Sequence, residues 1–226
     1  MLKQAITAKP VGFQDATPAA PSLRSALGEA FAVAGAAMPF ERNAEIFGEN
    51  EPADYLYKVV RGGVRTYKIL SDGRRQVAGF YLPGDVFGLE FADAHTLSAE
   101  AIVETRVIVV KRSALHALSS RDASIAQELF ALTGRELRWA QDRILLLVKS
   151  AQERVASFLL EMSNRISRSN AIELPMSRQD IADYLGLTIE TVSRTLTSLE
   201  VSAAIEVPTS RRIVLLNRPA LNRLNG

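Results

Sequence analysis

The 226-residue sequence contains no cysteine, and this absence excludes several kinds of chemistry. Disulfide bonds, thiolate zinc sites, cysteine-ligated iron–sulfur clusters and catalysis by a thiol all require this residue. Histidine is almost as scarce, because only His95 and His116 are present and they lie on separate segments. A metal-dependent enzyme needs several histidines and carboxylates that converge on one ion. We therefore predict no metal site and no catalytic activity.

Long apolar runs and a strong excess of one charge are also missing. The longest apolar stretch, residues 30–38, is too short to span a membrane as a helix. Residues 1–25 contain Lys3 and Lys9 without an apolar core after them, so we expect a flexible arm rather than a secretory signal, and a cytoplasmic protein. The net charge is only +2, so attraction to a nucleic acid must come from individually placed groups.

Residues 26–121 contain short β-rich runs separated by turn residues. Glycine supplies positive φ at tight hairpins, and proline fixes φ at the entry to a turn. The runs are YLYKVV, GVRTYKIL, QVAGFYL and IVETRVIVV, separated by Gly62-Gly63, Ser71-Asp72-Gly73, Pro83-Gly84-Asp85 and a longer polar stretch. This spacing predicts an antiparallel β-roll of jelly-roll type, and an α+β protein once the helices described below are added.

A regular heptad pattern covers residues 122–148. Its apolar and small positions follow alternating steps of three and four residues, which place them along one line on a helix. The predicted seam comprises Phe130, Thr133, Leu137, Ala140, Ile144 and Leu147. We predict a long helix that pairs with the same helix of a second copy, which gives a homodimer with two-fold symmetry. The alternative is that the helix packs this seam against its own β-roll.

Residues 149–226 form the last predicted unit. Residues 152–166 have the apolar period of a helix, and the polar Ser-Asn stretch before Pro175 predicts a connection. Near the end of the chain, AAIEV and RRIVLL flank Pro208-Thr209-Ser210 and predict a small hairpin. Arg211 and Arg212 in this hairpin could meet DNA phosphates, or they could be solvated turn charges.

The segment RQDIADYLGLTIETVSR between the connection and the hairpin predicts a helix-turn-helix. Ser177 can cap the first helix, with Asp180 three residues later, and Thr188 can cap the second. Gly186 can end the first helix in the left-handed conformation that only glycine adopts without a Cβ penalty. Ala182 is small where the two helices cross. The combination of two capped helices joined by a glycine turn is specific to this motif.

The second of these helices has one face that can dock and one that can read DNA. Its apolar stripe contains Ile189, Val192, Leu196 and Leu199. Docking this stripe inward leaves Glu190, Thr191, Ser193, Arg194 and Thr197 outward, in the half of the helix that enters a major groove. Arg194 can bind guanine O6 and N7 together, and Glu190 can accept from cytosine N4. The same two residues, four apart, could also be an ordinary surface ion pair, and we expect the pair to hold Arg194 in its reading pose.

The order of β-roll, long heptad helix and C-terminal winged helix-turn-helix resembles the CRP/FNR superfamily of bacterial transcription regulators over nearly the whole chain. The strongest local match, DYLGLTIETVSRTL, is similar to the FNR and FixK branch. There the E-x-x-S-R arrangement, here Glu190, Ser193 and Arg194, reads TTGA-type half-sites. The CRP branch has a base-reading arginine where this chain has Ile189. The resemblance implies backbone contacts from Ser177, Arg178, Thr188 and Thr191, which could otherwise be helix caps or exposed surface residues.

The resemblance also directs attention to a ligand pocket in the β-roll. A cyclic-nucleotide pocket resembles F-G-E-L followed by R-S/T-A, whereas this chain has Phe87-Gly88-Leu89-Glu90 and Leu97-Ser98-Ala99. A cyclic phosphate buried beside Leu97 would lack a cationic partner. We therefore expect neither cAMP nor cGMP as an effector. Haem with His95 as an axial ligand is the remaining cofactor option, although a lone loop histidine usually has no such role.

These expectations together describe a homodimeric DNA-binding regulator, mainly an activator, that needs no cofactor and contacts RNA polymerase. Its FixK-like character implies roles in the low-oxygen response and in nitrogen fixation. Two alternatives remain. One is a regulator whose β-roll binds an unidentified small-molecule effector before it binds DNA. The other is a metal-dependent enzyme of the cupin type, for which the metal ligands are lacking.

Overall fold

The computed structural model describes residues 25–90, 92–146, 148–166 and 170–225. The predicted arm at residues 1–25 lies outside the described residues apart from Ser25, and Leu147 of the heptad pattern also lies outside them. Across the described ranges, no helix combines the length and apolar character needed to cross a bilayer.

The N-terminal half of the chain is an antiparallel β-roll, as predicted. Its strands are β1 (Ala36–Phe40), β2 (Glu45–Phe47), β3 (Tyr55–Arg61), β4 (Val64–Ile69), β5 (Arg75–Tyr81), β6 (Val86–Phe87), β7 (Ser98–Ala101) and β8 (Thr105–Lys111). They form two four-stranded sheets with the orders β1-β8-β3-β6 and β2-β7-β4-β5. The predicted runs correspond to β3, β4, β5 and β8. The other four strands were not predicted because they are short or, like β1 with Pro39, lie at a sheet edge.

Helices frame the roll and lead into the C-terminal unit. They are α1 (Ala26–Ala34), α2 (Arg112–Ser119), α3 (Ala123–Leu146) and α4 (Ala151–Ile166). Helix α1 begins at Ser25, whose hydroxyl accepts the Gly28 N–H at 3.0 Å. Helix α3 confirms the predicted long helix, and it turns Ile125 and Leu132 toward the roll.

The C-terminal unit is a winged helix-turn-helix. Its elements are β9 (Ala171–Glu173), α5 (Arg178–Leu185), α6 (Ile189–Val201), β10 (Ile205–Glu206), β11 (Arg212–Leu215) and α7 (Arg218–Asn225). The predicted hairpin is present as β10 and β11. The prediction of a simple connection before Pro175 was wrong, because β9 pairs with β11 and completes a three-stranded sheet in the order β10-β11-β9. Three residues are too few to show a strand period.

One hydrophobic core spans the boundary between the two units. Val77, Phe80 and Leu82 of the roll pack in the same cluster as Phe158 and Leu159 of α4. Burial of shared apolar surface on both sides stabilises the contact between the roll and the helix-turn-helix unit.

Candidate nucleic-acid interface

The helix-turn-helix has the caps that its sequence predicts. The Ser177 hydroxyl accepts the Asp180 N–H at 3.1 Å, and an Asp180 carboxylate oxygen accepts the Ser177 N–H at 2.9 Å. The Thr188 hydroxyl accepts the Thr191 N–H at 3.2 Å at the start of α6. Gly186 ends α5 at φ 63° and ψ 39°, and its N–H bonds to the Ala182 carbonyl. The predicted left-handed turn is confirmed.

Replacing Gly186 with alanine should destabilise the protein by about 1–2 kcal/mol, because an L side chain is strained at this backbone conformation. The strain, rather than a clash, is the cause, since an added Cβ would meet only Arg154 Nη1 at 3.7 Å. Gly79→Ala is a matched control, because Gly79 is outside the positive-φ glycines and its added Cβ would lie 3.5 Å from Thr66 Oγ1. Urea unfolding measures both changes. Equal stability of the two variants would contradict the assignment of strain to Gly186.

Helix α6 docks through a slightly different stripe from the one predicted. Val192, Leu196 and Leu199 are at most 4% exposed, and Thr195 lies beside them at 9%. Ile189, however, is 36% exposed, so its predicted place in the docked stripe was wrong. Ile189 is the first residue of α6, and the stripe that faces the core begins one turn later. The spacing 192, 195, 196, 199 is the usual inward face of a helix.

The outward face of α6 presents the predicted base-reading side chains. Glu190, Arg194 and Thr197 are exposed, and Thr191 and Ser193 are half-buried. Since Glu190, Thr191, Ser193 and Arg194 occupy the first two turns of the helix, they are on the part that a major groove would receive. The structure thus brings Glu190, Ser193 and Arg194 to one accessible surface.

The expected ion pair between Glu190 and Arg194 is not formed among the described residues. Hydrogen bonds from its own backbone N–H and from the Thr188 hydroxyl lower the pKa of Glu190, and the charge of Arg194 makes a smaller contribution. A carboxylate in the first turn of a helix is favoured by unpaired N–H groups and by the helix dipole. The prediction that Glu190 positions Arg194 in advance was therefore wrong. The guanidinium of Arg194 interacts with this carboxylate only through its charge and forms no ion pair with it.

The predicted phosphate contacts differ in how available they are. Arg178 lies at the start of α5 and its Nη1 donates to the Ser193 hydroxyl at 3.4 Å, so it reaches across to the recognition helix. The Ser177 hydroxyl donates to Asp180 at 2.7 Å, whereas Thr188 is exposed. Helix capping and ordinary surface exposure are sufficient to explain the positions of these side chains. Their contacts with phosphate therefore remain predictions.

The wing places Arg211 just before its central strand β11 and Arg212 at the first position of that strand. Arg212 is exposed and Arg211 is half-buried, and the backbone N–H groups of both donate to the Thr209 hydroxyl at 3.0 and 3.3 Å. This threonine therefore orders the turn through backbone hydrogen bonds that do not use the guanidinium groups. The arrangement is compatible with phosphate contacts and with solvated turn charges.

The heptad seam of α3 is uncovered in the single chain. Phe130 is 82% exposed, Leu137 60% and Ile144 64%, and Ala140 is exposed as well. Thr133 is half-buried and its hydroxyl donates to the Leu129 carbonyl within the helix. The inward face of α3 instead carries Ile125, Leu129 and Leu132, which share a core cluster with α1, α2 and the roll. The alternative in which the seam packs against its own roll is therefore wrong for these described positions.

A cavity of about 560 Å³ lies between β5, α3 and α4. Its walls include the aromatic rings of Trp139 and Tyr184, the side chain of Leu97 and the charged groups of Glu136 and Arg165. Burial raises the pKa of Glu136 to about 7, and the Tyr81 hydroxyl donates to this carboxyl group at 3.2 Å. The cavity has room for a small molecule, and it lies where the roll meets the helices.

His95, which the sequence analysis considers as an axial haem ligand, lies in the aromatic core of the roll. Its ring is 1% exposed and stacks on Phe47 with 3.6 Å between the ring centroids. Its Nδ1 atom hydrogen-bonds to Glu90, whose other carboxylate oxygen accepts the Thr96 N–H at 2.8 Å. The histidine and Glu90 thus close the loop before β7, while the buried Nε2 atom of His95 has no hydrogen-bond partner among the described residues.

Charged side chains also join the β-roll to α5, and sequence analysis did not find them. Asp180 accepts hydrogen bonds from Arg65 at 3.0 Å and from Arg75 at 2.7 Å. Arg75 also donates to Asp183, and Arg65 pairs with Glu100 on β7. The one available signal was Arg65 itself, a charged residue within an otherwise β-rich run. Its partner lies 115 residues away, so no local pattern identifies it.

Two family models match the sequence. A Crp-like helix-turn-helix domain matches residues 153–224, and a cyclic nucleotide-binding domain matches residues 37–122. The first range contains the capped helices and the wing, and the second contains the strands of the β-roll.

The chain is also similar to whole proteins and to a solved structure. It is 51% identical over 201 residues to the nitrogen fixation regulation protein FixK of Azorhizobium caulinodans, covering 86% of this chain and 81% of that protein. It is 41% identical over 186 residues to FixK of Rhizobium meliloti, covering 82% and 85%. The structure of FixK2 from Bradyrhizobium japonicum matches with a TM-score of 0.82 and 51% identity, covering 85% of this chain and 98% of that one.

Proposed function

Because this chain belongs to the CRP/FNR family of transcription regulators and is FixK-like, we propose that it binds two-fold symmetric DNA sites with TTGA-type half-sites as a homodimer. The chain is a DNA-binding regulator rather than an enzyme, since its relatives are transcription regulators. The proposal rests on the outward face of α6. Glu190, Ser193 and Arg194 lie together on this face, while the opposite face of the same helix is buried in the core.

Each base-reading residue has a separate role in this proposal. Arg194 donates to O6 and N7 of the guanine, Glu190 accepts from the cytosine amino group, and Ser193 contacts a neighbouring base edge. Arg178, Ser177, Thr188, Thr191, Arg211 and Arg212 hold the unit on the sugar-phosphate backbone. Phosphate contacts set the orientation of the helix, while the base contacts supply sequence preference.

The uncovered seam of α3 supports the proposed homodimer. Apolar side chains as exposed as Phe130, Leu137 and Ile144 are costly in water, and they lie in one line that a second α3 can cover. A two-fold axis along this seam places two α6 helices on successive major grooves, about 10 base pairs apart. The predicted palindromic site is the consequence of that symmetry.

We place the protein in regulation of nitrogen fixation and of the response to low oxygen, mainly as an activator that contacts RNA polymerase. Support comes from relatives named as nitrogen fixation regulation proteins. Activity is set by the amount of protein and by dimerisation, without cAMP, haem or an iron–sulfur cluster.

A second candidate function is a regulator that requires a small-molecule effector. The cavity of about 560 Å³ beside Leu97, Trp139 and Tyr184 favours it, because a ligand there would touch the roll, α3 and α5 at once. In this case effector binding would precede DNA binding.

Selection from a randomised DNA pool with purified, effector-free protein tests both candidates. We expect enrichment of inverted TTGA repeats whose half-site centres lie about one helical turn apart. Enrichment that occurs only after addition of a cell extract would favour the effector-dependent candidate. A pool that stays random under both conditions would contradict DNA recognition by this protein.

A further inference from the structure

The contact between the β-roll and α5 contains a cluster of five charged side chains. We call Arg65, Arg75, Glu100, Asp180 and Asp183 the interdomain charge cluster. Asp180 is at its centre, since one of its carboxylate oxygens accepts from Arg65 and Arg75 and the other accepts from the Ser177 N–H and hydroxyl. The same carboxylate therefore caps α5 and joins it to two strands of the roll.

The central pair of this cluster is almost fully removed from water. The side chains of Arg65 and Asp180 are 8% and 5% exposed, and that of Arg75 is 24% exposed. Buried ion pairs contribute little net stability, because desolvation of both charges offsets their attraction. Buried ion pairs do require a defined relative position of the two side chains. The planar guanidinium of arginine restricts this position further, because its N–H groups point in fixed directions. Such a cluster is better suited to fixing an orientation than to stabilising the fold.

Hydrogen bonds that involve side chains of α3 and β5 and backbone carbonyls extend this contact along β5. The Gln76 side-chain amide donates to the Asp183 carbonyl at 2.6 Å, and Arg143 of α3 donates to the Val77 carbonyl at 2.9 Å. Helix α3, which carries the dimer seam, and α5, which supports the recognition helix, are thus both tied to one strand. The docked arrangement leaves Glu190 and Arg194 exposed, so it is compatible with DNA binding.

We propose that Arg65 and Arg75 are positioning residues for DNA recognition: they hold α5 at a fixed angle to α3, and thereby set the spacing between the two recognition helices of the dimer. This inference rests on the proposed binding of a palindromic site. A palindrome is bound tightly only when both half-sites are engaged together, so a fixed spacing raises the effective concentration of the second helix at its half-site. A single half-site does not depend on that spacing.

Arg75→Ala is the main test variant, because Arg75 is less buried than Arg65 and its loss perturbs the core less. We expect roughly ten-fold weaker binding to the palindrome. Without Arg75 the second recognition helix would adopt a wider range of orientations, so its effective concentration at the second half-site would fall. Binding to a single half-site duplex should stay unchanged. The variant should also tolerate a spacer lengthened by one base pair better than the unmodified protein does. Fluorescence anisotropy with the three duplexes measures these changes.

Arg74→Ala is the matched control. Arg74 is adjacent in sequence, but its side chain is 78% exposed and pairs with Asp72 inside the β4–β5 hairpin. The substitution removes the same charge without removing a contact to α5. Binding to the palindrome and binding to the half-site should therefore weaken slightly and to the same extent. Arg75→Lys should restore part of the palindrome affinity, because it returns the charge without the fork. Asp183→Asn provides a second disruption if Arg75→Ala does not fold.

A distance measurement tests the orientation without DNA. Since the chain has no cysteine, Ser71→Cys and Ser210→Cys give two unique, exposed attachment points for spin labels on the roll and the wing. In dimers diluted with unlabelled chain, Arg75→Ala or Asp183→Asn should broaden the distance distribution, and Arg74→Ala should not. The positioning role would be overturned if the variant keeps the distance distribution of the unmodified protein and also loses the same factor of affinity for the palindrome and for the half-site. If the unmodified protein binds no duplex, the proposed function fails while the distance result still decides the orientation.

Discussion

Replacing Leu137 with glutamate should convert the protein into monomers that no longer bind a palindromic site tightly. The leucine is 60% exposed in the single chain and lies in the middle of the seam of α3. In the proposed dimer two such glutamates would face each other across an apolar interface. An uncompensated buried charge typically costs about 3–5 kcal/mol. The symmetric interface contains the substitution twice, so the dimer should not form at micromolar concentrations. Sedimentation equilibrium and anisotropy with palindromic DNA measure the two effects.

Ala131→Glu is the control for helix α3. This position is exposed and lies one residue from Phe130, outside the seam positions, and glutamate is compatible with a helix. The control should remain dimeric and bind DNA. Ile144→Glu, at another exposed position of the seam, should reproduce the effect of Leu137→Glu. A dimeric mass for both seam variants would show that another surface joins the subunits.

Replacing Arg194 with alanine should remove the preference for guanine at one position of each half-site. Arg194 is exposed on α6 and forms no ion pair with Glu190 in the described structure, so no ion pair with that carboxylate is lost with it. A bidentate arginine–guanine contact contributes about 1–3 kcal/mol of discrimination. The specific site should therefore be bound roughly 5- to 150-fold more weakly, while binding to unrelated DNA changes little. Titrations with all four base pairs at this position measure the preference.

Arg212→Ala is the comparison that separates base reading from phosphate binding. The arginine is exposed on the wing, and its loss should weaken binding to all sequences alike and lower the salt dependence by about one charge. If Arg194→Ala behaves in this same way and keeps the guanine preference, Arg194 contacts a phosphate and the half-site assignment is wrong.

Glu190 forms its hydrogen bonds at the start of α6 and not with Arg194. A preformed pair with Arg194 would have fixed the guanidinium before DNA arrived. Instead the carboxylate is engaged at the start of α6. If Arg194 binds a base as proposed, its side chain would lose freedom on binding, and this entropy cost would reduce the net gain from the contact.

Features that depend on neighbouring residues could be predicted from the sequence. The caps at Ser177 and Thr188 and the turn at Gly186 involve bonds over three or four residues, so the local pattern contains both partners. The heptad period of α3 likewise follows from spacing alone. The short strand β9 could not be predicted in this way, because it pairs with β11 about forty residues later.

The sequence by itself determined the β-roll, the long helix, the capped helix-turn-helix and the identity of the side chains on its outward face. Only the tertiary structure decided that the seam of α3 is uncovered, that Ile189 is exposed, and that Asp180 accepts from Arg65 and Arg75. The physical reason is the range of the interactions. Helix period, caps and turns are set within a few residues, whereas a contact over 115 residues exists only after two separately folded surfaces have packed together.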